Sequence, residues 1–240
     1  AQLARDAIDR GADCIGMADG DGFFAGYDGW PENGVVDTFA YKSVEHNLDF
    51  YAVCSALYAI TGNEQYQTAL QSILRLLDSM YDQEQSFFWS GTTEDGVSPN
   101  TSNIVLDVQV WSALALGDAD APYRDSVRYA AENLQTPDGG YAFSAVDKDG
   151  GYWLEGTAFT ALALKQVGMD AQADAALRAV MAAQLASGGL PAVYGAASVN
   201  TGFDLFTGEP WLYSDDPHIA PVAWYILAAL NDNPYAVSLQ

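Results

Sequence analysis

The chain has 240 residues, half of them apolar and 12% aromatic, which suits one domain with a full core and excludes a disordered protein. Its net charge of −23, from 32 acidic against nine basic residues, leaves no basic patch for nucleic acid and disfavours anionic membranes and polyanionic substrates. Two cysteines with no Cys-x-x-Cys spacing exclude zinc-ribbon and redox motifs, and no apolar run approaches ~18 uninterrupted residues, so no spanning helix is expected.

In chain order, an amphipathic helical stretch over 1–15 leads into Asp19-Gly20-Asp21-Gly22-Phe23-Phe24, a turn entering an extended aromatic piece. A helix over 45–60 stops at Thr61-Gly62, and Asn63 reads as the N-cap of the next, which runs to about 82. Ser86-Phe87-Phe88-Trp89-Ser90-Gly91 follows. The cycle then repeats. The stretches 104–116 and 156–167 are apolar nearly all round and should be buried, whereas 121–134 and 170–186 are amphipathic. A last buried-looking helix spans 219–230. Cys14 and Cys54 both fall in apolar helical stretches and are expected as buried free thiols.

A Gly-rich, aromatic turn thus recurs near Asp21, Ser86, Asp138 and Ser187, the mark of a degenerate internal repeat. Alternating apolar and amphipathic helices predict an all-α ring of helical hairpins, an α/α toroid with buried inner helices and solvated outer ones. The whole chain, 1–240, reads as one such domain of about four hairpins, about two thirds of a six-hairpin ring: either it is a fragment lacking N-terminal hairpins, with a further chain or domain to complete it, or the ring is smaller or open.

Each inner helix opens on a polar cluster. Glu45 and Asp49, at i and i+4, share a helix face, and His46 and Asn47 lie beside them; the acids either complement the helix dipole or face a polar cavity. Asp107 and Gln109 interrupt a run so apolar that they must be hydrogen-bonded, in a structural network or in a site. Glu155 follows Tyr152-Trp153 and precedes Gly156-Thr157; a neighbouring Trp would raise its pKa toward that of a general acid, whereas the helix start would lower it. Asp215, Asp216 and His218 precede the last helix, with Asp216 placed to cap it and Pro217 in its first turn. His218 suits a catalytic partner, a sugar-binding donor or a metal ligand, although no ligand spacing supports a metal with His46, and no cofactor is called for.

No nucleophile elbow and no phosphate loop occur, which leaves carboxylates, aromatics and amides. That set suits glycoside hydrolysis on a neutral oligo- or polysaccharide. Glu155 and Asp107 would be the acid/base pair with Glu45 in reserve, and Trp153, Trp211 and Tyr213 a sugar platform beside the polar groups of His46, Asp49, Gln109 and His218. A lyase or epimerase using His46 or His218 with a Tyr, or a non-catalytic binding toroid, are the rival readings. The acidic composition suits an extracytoplasmic or secreted protein, but the start at Ala1-Gln2-Leu3 has no signal-peptide pattern and the compartment is not fixed.

The segments Tyr41-Lys42-Ser43-Val44-Glu45-His46-Asn47-Leu48-Asp49, Leu106-Asp107-Val108-Gln109-Val110-Trp111 and Trp153-Leu154-Glu155-Gly156-Thr157-Ala158 resemble a bacterial family of six-hairpin-glycosidase-like, α/α-toroid proteins, generally of poorly defined activity. Pro217-His218-Ile219-Ala220, Trp224-Tyr225 and Asn233-Pro234-Tyr235 are similar to that family's C-terminus. The resemblance implies the toroid and says little about substrate. Gln135-Thr136-Pro137-Asp138-Gly139-Gly140-Tyr141 separately resembles the repeat motif of terpene cyclases, whose Asp-rich protonation motif is missing here, so that likeness implies fold only.

Overall fold

The computed structural model describes residues 21–28, 37–117, 121–148, 150–205 and 207–236; the expected helix over 1–15 and Cys14 lie outside the described residues. Two compact units divide the chain, the first holding residues up to 81 with 88–101, the second 82–87 with 102–236.

In the first unit, strands β1 (Gly26–Asp28) and β2 (Asp37–Phe39) pair antiparallel ahead of a helical hairpin, α1 (Val44–Thr61) and α2 (Glu64–Met80). Ser43 caps α1, its hydroxyl accepting from the His46 amide. Gly62 ends it in the left-handed region, at φ 63°, with its amide on the Tyr58 carbonyl. Asn63 caps α2 through Gln65. α2 is amphipathic as expected: Tyr66, Ala69, Ile73, Leu76, Leu77 and Met80 are buried at helical spacing, while Arg75 reaches out to Asp21. Cys54 is a free, buried thiol on α1, pushed up to about 11 by burial and therefore inert.

The two-residue strands β3 (Tyr81–Asp82) and β4 (Phe87–Phe88) come next in the chain. The second unit is built on α3 (Leu106–Leu116), a short 3₁₀ turn (Ala121–Arg124), α4 (Asp125–Asn133), α5 (Leu154–Gln166), α6 (Asp170–Ala182) and α7 (Ile219–Leu230). α5 packs on α3, α6 and α7, and α4 packs on α3. Nearly every side chain of α3 is buried, as is every one of α5 from Leu154 to Leu164 except Glu155. α4 and α6 bury one face each, Val127 and Ala130 in one and Ala173, Ala176 and Val180 in the other. The expected alternation of inner and outer helices is present.

Three details depart from expectation. α7 is apolar but not buried, because Ile219, Ile226 and Leu230 are 78%, 51% and 71% exposed. It also starts later than a cap at Asp216 would require. Pro217 and His218 form strand β10 (Pro217–His218), paired with β6 (Leu190–Pro191), which keeps the backbone extended through His218, the actual N-cap. Finally, the helices share the unit with a hairpin absent from the sequence reading, β8 (Ser198–Asp204) and β9 (Pro210–Ser214), and with the pair β5 (Tyr152–Trp153) and β7 (Val193–Tyr194). Among the described residues no helix is long and apolar enough to cross a membrane.

The contact between α3 and α5 is close at their first turns, where a Cβ at Gly156 would come within 2.8 Å of Leu106 Cδ2 and 2.3 Å of the Trp153 ring. Gly156→Ala is therefore expected to lower the stability of the second unit by about 1–3 kcal/mol, read as a shift in urea midpoint at constant m-value.

Candidate active site

An α-helix leaves its first amides without internal acceptors, and α3, α5 and α7 have no side-chain cap, their N-caps being Val105, Trp153 and His218. In two of these the loop after the following outer helix supplies the acceptor. Leu106 N–H donates to the Phe143 carbonyl at 2.9 Å, and Leu154 N–H to Ala192 at 2.9 Å. In the first unit Val44 N–H donates to Ser90 at 3.0 Å in the same manner. The N-caps bridge to those loops by antiparallel pairing, Ser43 with Gly91 and Val105 with Ser144 as single pairs and Trp153 with Val193 within the β5–β7 ladder.

This construction puts α1, α3 and α5 in one register. The second residue of each helix is an acid: Glu45, Asp107 and Glu155. The fourth residue of each is a fully buried polar group that turns back onto the N-cap carbonyl. Asn47 Nδ2 donates to Ser43 O at 2.7 Å, Gln109 Nε2 to Val105 O at 3.0 Å, and Thr157 Oγ1 to Trp153 O at 2.7 Å. Asn47 also brackets Phe23, accepting from its amide and donating to its carbonyl, and Thr157 accepts from the Tyr141 amide. The fourth residue therefore closes each helix start on its N-cap, and in α1 and α5 it also ties that start to the chain around it. The second residue is left to face elsewhere. In α7 the equivalent positions are Ala220 and Val222, so the polar groups of the fourth opening, Asp215, Asp216 and His218, precede the helix.

In the second unit the two acids flank one contact: Asp107 follows Leu106 and Glu155 precedes Gly156, and those neighbours meet. Asp107 is 7% exposed, with its Oδ1 accepting from the Val108 amide at 2.6 Å. Glu155 is half-buried at the start of a helix whose other side chains are buried as far as Leu164. Loop 141–145 holds both helix starts, since the Trp153 amide donates to Tyr141 O while Phe143 O takes the Leu106 amide. The α7 start joins from the other side, with Ala192 N–H on the Asp216 carbonyl and His218 paired with Leu190. The openings of α3, α5 and α7 are thus laced into one end of the unit.

Beside them runs an array of rings. Trp153 stacks on Tyr213 (centroids 5.7 Å, 25°), and Tyr213 meets Trp211 at 5.8 Å. Phe143 closes on Trp153 at 4.7 Å and Phe159 meets it edge-on, leading to Trp111 and Trp224. Trp153 is 4% exposed and thus the base of the stack; Trp211, 41% exposed on β9, is its open end. The indole N–H groups of Trp111 and Trp153 are buried without a hydrogen-bond partner.

Glu45, His46 and Asp49 belong to the first unit. Ser43 is the side-chain cap there, so Glu45 is a first-turn acid and not the cap. Burial pushes its carboxyl above the ordinary 4.5 and the Asp49 charge adds to this, while His46 opposes it. Tyr41 is raised by burial and by the charges of Glu94 and Glu45. His218 and Asp216 are exposed; Asp216 takes the Ser214 hydroxyl. Among the described residues no group of three or more His, Cys, Asp or Glu is placed to hold a metal ion.

No protein-family model matches the chain, and no curated protein does. Solved structures do. A UGL variant with dGlcA-Glc-Rha-Glc matches at TM-score 0.65 and 14% identity, over 95% of this chain and 67% of that one. The cellobiose 2-epimerase from Spirochaeta thermophila matches at 0.57 and 14%, over 83% and 60%. A glycosyl hydrolase family 88 protein from Bacteroides vulgatus matches at 0.56 and 17%, over 81% and 63%. The chain spans about three fifths of the length of the latter two. These likenesses show that the chain has the α/α-toroid fold that these structures share.

The raised Glu45 carboxyl has a defined consequence for stability. Its folded form holds a proton that the unfolded chain has already lost, so this group's contribution falls as pH rises through the window above 4.5. Glu45→Gln is expected to match the wild type in Tm below about pH 4 and to gain on it progressively above, as followed by circular dichroism across pH.

Proposed function

We propose that the chain carries the catalytic face of a carbohydrate-active enzyme, a glycoside hydrolase acting on a neutral oligo- or polysaccharide. The observation that carries this reading is the placing of Asp107 and Glu155 at the same helical position on two touching helix starts, beside a ring stack that opens to solvent at Trp211. Glycoside hydrolysis needs two carboxyl groups about a scissile bond, one donating a proton to the leaving oxygen and the other activating water or attacking the anomeric carbon. Glu155, half-buried against the Trp153 end of the helix, is assigned the proton donor and Asp107 its partner, with Glu45 the reserve acid of the first unit.

Aromatic faces present flat apolar surface to the C–H face of a sugar, and Trp211 supplies such a face with Tyr213 and Trp153 stacked behind it. The exposed His218 offers a donor at the same laced end, and His46 and Asp49 offer polar groups on the first unit. Gln109 is assigned the support of the α3 start, in view of its bond to Val105. A neutral substrate is favoured because the helix openings at 104–109, 152–157 and 213–219 contain acids and a histidine but no Lys or Arg, so an anionic sugar would meet repulsion.

Incubation with a panel of neutral oligosaccharides tests the reading through released reducing ends. Glu155→Gln and Asp107→Asn are each expected to lower kcat by at least about 10²-fold with the far-ultraviolet spectrum unchanged. Trp211→Ala is expected to weaken binding by about 3–10-fold with no loss of stability. An unsaturated product absorbing in the ultraviolet would instead identify a lyase, and unaltered turnover in both carboxyl variants would overturn the assignment.

A further inference from the structure

Trp211, the open end of the ring stack, stands on the β8–β9 hairpin, and that hairpin is held to both acid-bearing helix starts by different chemistry. On the Glu155 side the attachment is apolar: Tyr213 stacks on Trp153, and Val199 is buried with Ala192 and Val193. On the Asp107 side it is one amide. Asn103, in the approach to α3 and 3% exposed, donates from Nδ2 to the Thr201 carbonyl at 3.0 Å, across 98 residues of sequence. Its Oδ1 is buried without a hydrogen-bond partner, so Thr201 is the one partner this amide has among the described residues.

The hairpin ladder is irregular at that point. Asn200 pairs with Leu212 and Asp204 with Pro210, so Thr201, Gly202 and Phe203 oppose the single residue Trp211 in a bulge. The bulge turns the Thr201 carbonyl to Asn103, while the Thr201 hydroxyl donates to the Trp211 carbonyl at 2.9 Å. Gly202 permits the close approach. Its φ of 82° lies in the left-handed region, and a Cβ there would come within 2.4 Å of Asn103 Nδ2 and 2.7 Å of Val146 Cγ2. Asp147 secures the strand just before the bulge by taking the Asn200 amide at 2.9 Å, and leaves the bulge itself to Asn103.

Two hydrogen bonds in series thus join the approach to α3 with the backbone of the exposed Trp211. We propose, resting on the hydrolase reading above, that Asn103 is a positioning residue for the sugar platform. Through Thr201 it sets where Trp211 stands relative to Asp107, and so where a bound sugar lies against the carboxyl pair. Val199 and Tyr213 already hold the hairpin to the unit by apolar burial and stacking, so the Asn103 bond adds orientation at Trp211 more than adhesion.

A double-mutant cycle on a neutral oligosaccharide that the wild type cleaves tests this. Asn103→Ala is expected to raise KM by about 3–10-fold with kcat within about twofold, the split that marks lost binding and intact chemistry. In the Trp211→Ala background the same substitution is expected to add less than about twofold. Thr201→Val keeps the side-chain shape and the carbonyl but removes the hydroxyl; it is expected to raise KM about as much, and Thr201→Ser to restore the wild-type value. Effects of Asn103→Ala and Trp211→Ala that multiply in full would overturn the proposal, as would a wild-type KM in Thr201→Val. So would a fall in kcat at unchanged KM, since Asn103 would then act on Asp107 and not through the platform. Hydrogen exchange read by mass spectrometry puts the same question without a substrate. Residues 198–214 are expected to exchange at least about tenfold faster in Asn103→Ala, with 106–116 and 154–166 unchanged, and wild-type exchange over 198–214 would overturn the proposal. A wild-type chain that cleaves no sugar would overturn the hydrolase reading, and the exchange result would still decide whether Asn103 holds the hairpin.

Discussion

The inner helices α1, α3 and α5 each begin with an amide that their own turn cannot satisfy, and the fold answers that need with a carbonyl from the loop after the following outer helix. Val44, Leu106 and Leu154 donate to Ser90, Phe143 and Ala192. Because the acceptor is backbone, the N-cap position is released from the usual demand for Ser, Thr, Asp or Asn, and Val105 and Trp153 can occupy it. Because the acceptor is in a loop, the same bond fixes where the loop lies. One interaction therefore sets the helix start, the path of the connecting segment and the spacing between neighbouring helices.

The three first-turn acids inherit their placing from this bond. An acid in the second position of a helix so anchored cannot shift along the axis without breaking the loop contact, and the buried polar group in the fourth position locks the same turn from within. Asn47, Gln109 and Thr157 are three different residues performing one task, each returning to the N-cap carbonyl. The anchored first turn thereby fixes where each acid leaves its helix.

Much of this was legible in the chain. Alternation between all-apolar and amphipathic stretches identified inner and outer helices, because α3 and α5 must be buried on all sides while α2, α4 and α6 bury one face. The Gly-rich aromatic turns revealed the repeat. The register was harder to see, since Asn, Gln and Thr share no obvious pattern until aligned on the helix start. The same alignment shows why the last opening differs: Asp216 looked like a cap before Pro217, but cross-strand pairing with β6 outweighs local capping and extends the chain to His218. The β8–β9 hairpin escaped notice because its strand, Ser198-Val199-Asn200-Thr201-Gly202-Phe203-Asp204, is short on bulky apolar residues and interrupted by Gly202. Burial also redistributed the aromatic roles, placing Trp153 beneath the stack and Trp211 at its mouth.

The loop-to-helix bond also sets an order of assembly in time. The carbonyl that completes a helix start lies a whole hairpin later in the chain, so during synthesis α3 emerges with its first amide waiting for Phe143, and α5 with its own waiting for Ala192. Each carboxylate reaches its final position only when the ribosome has delivered the loop that closes its own hairpin. Each helix start is thus completed one step behind the growing end of the polypeptide, and a pause or truncation within a hairpin leaves the acid of that hairpin, rather than the acid before it, out of place.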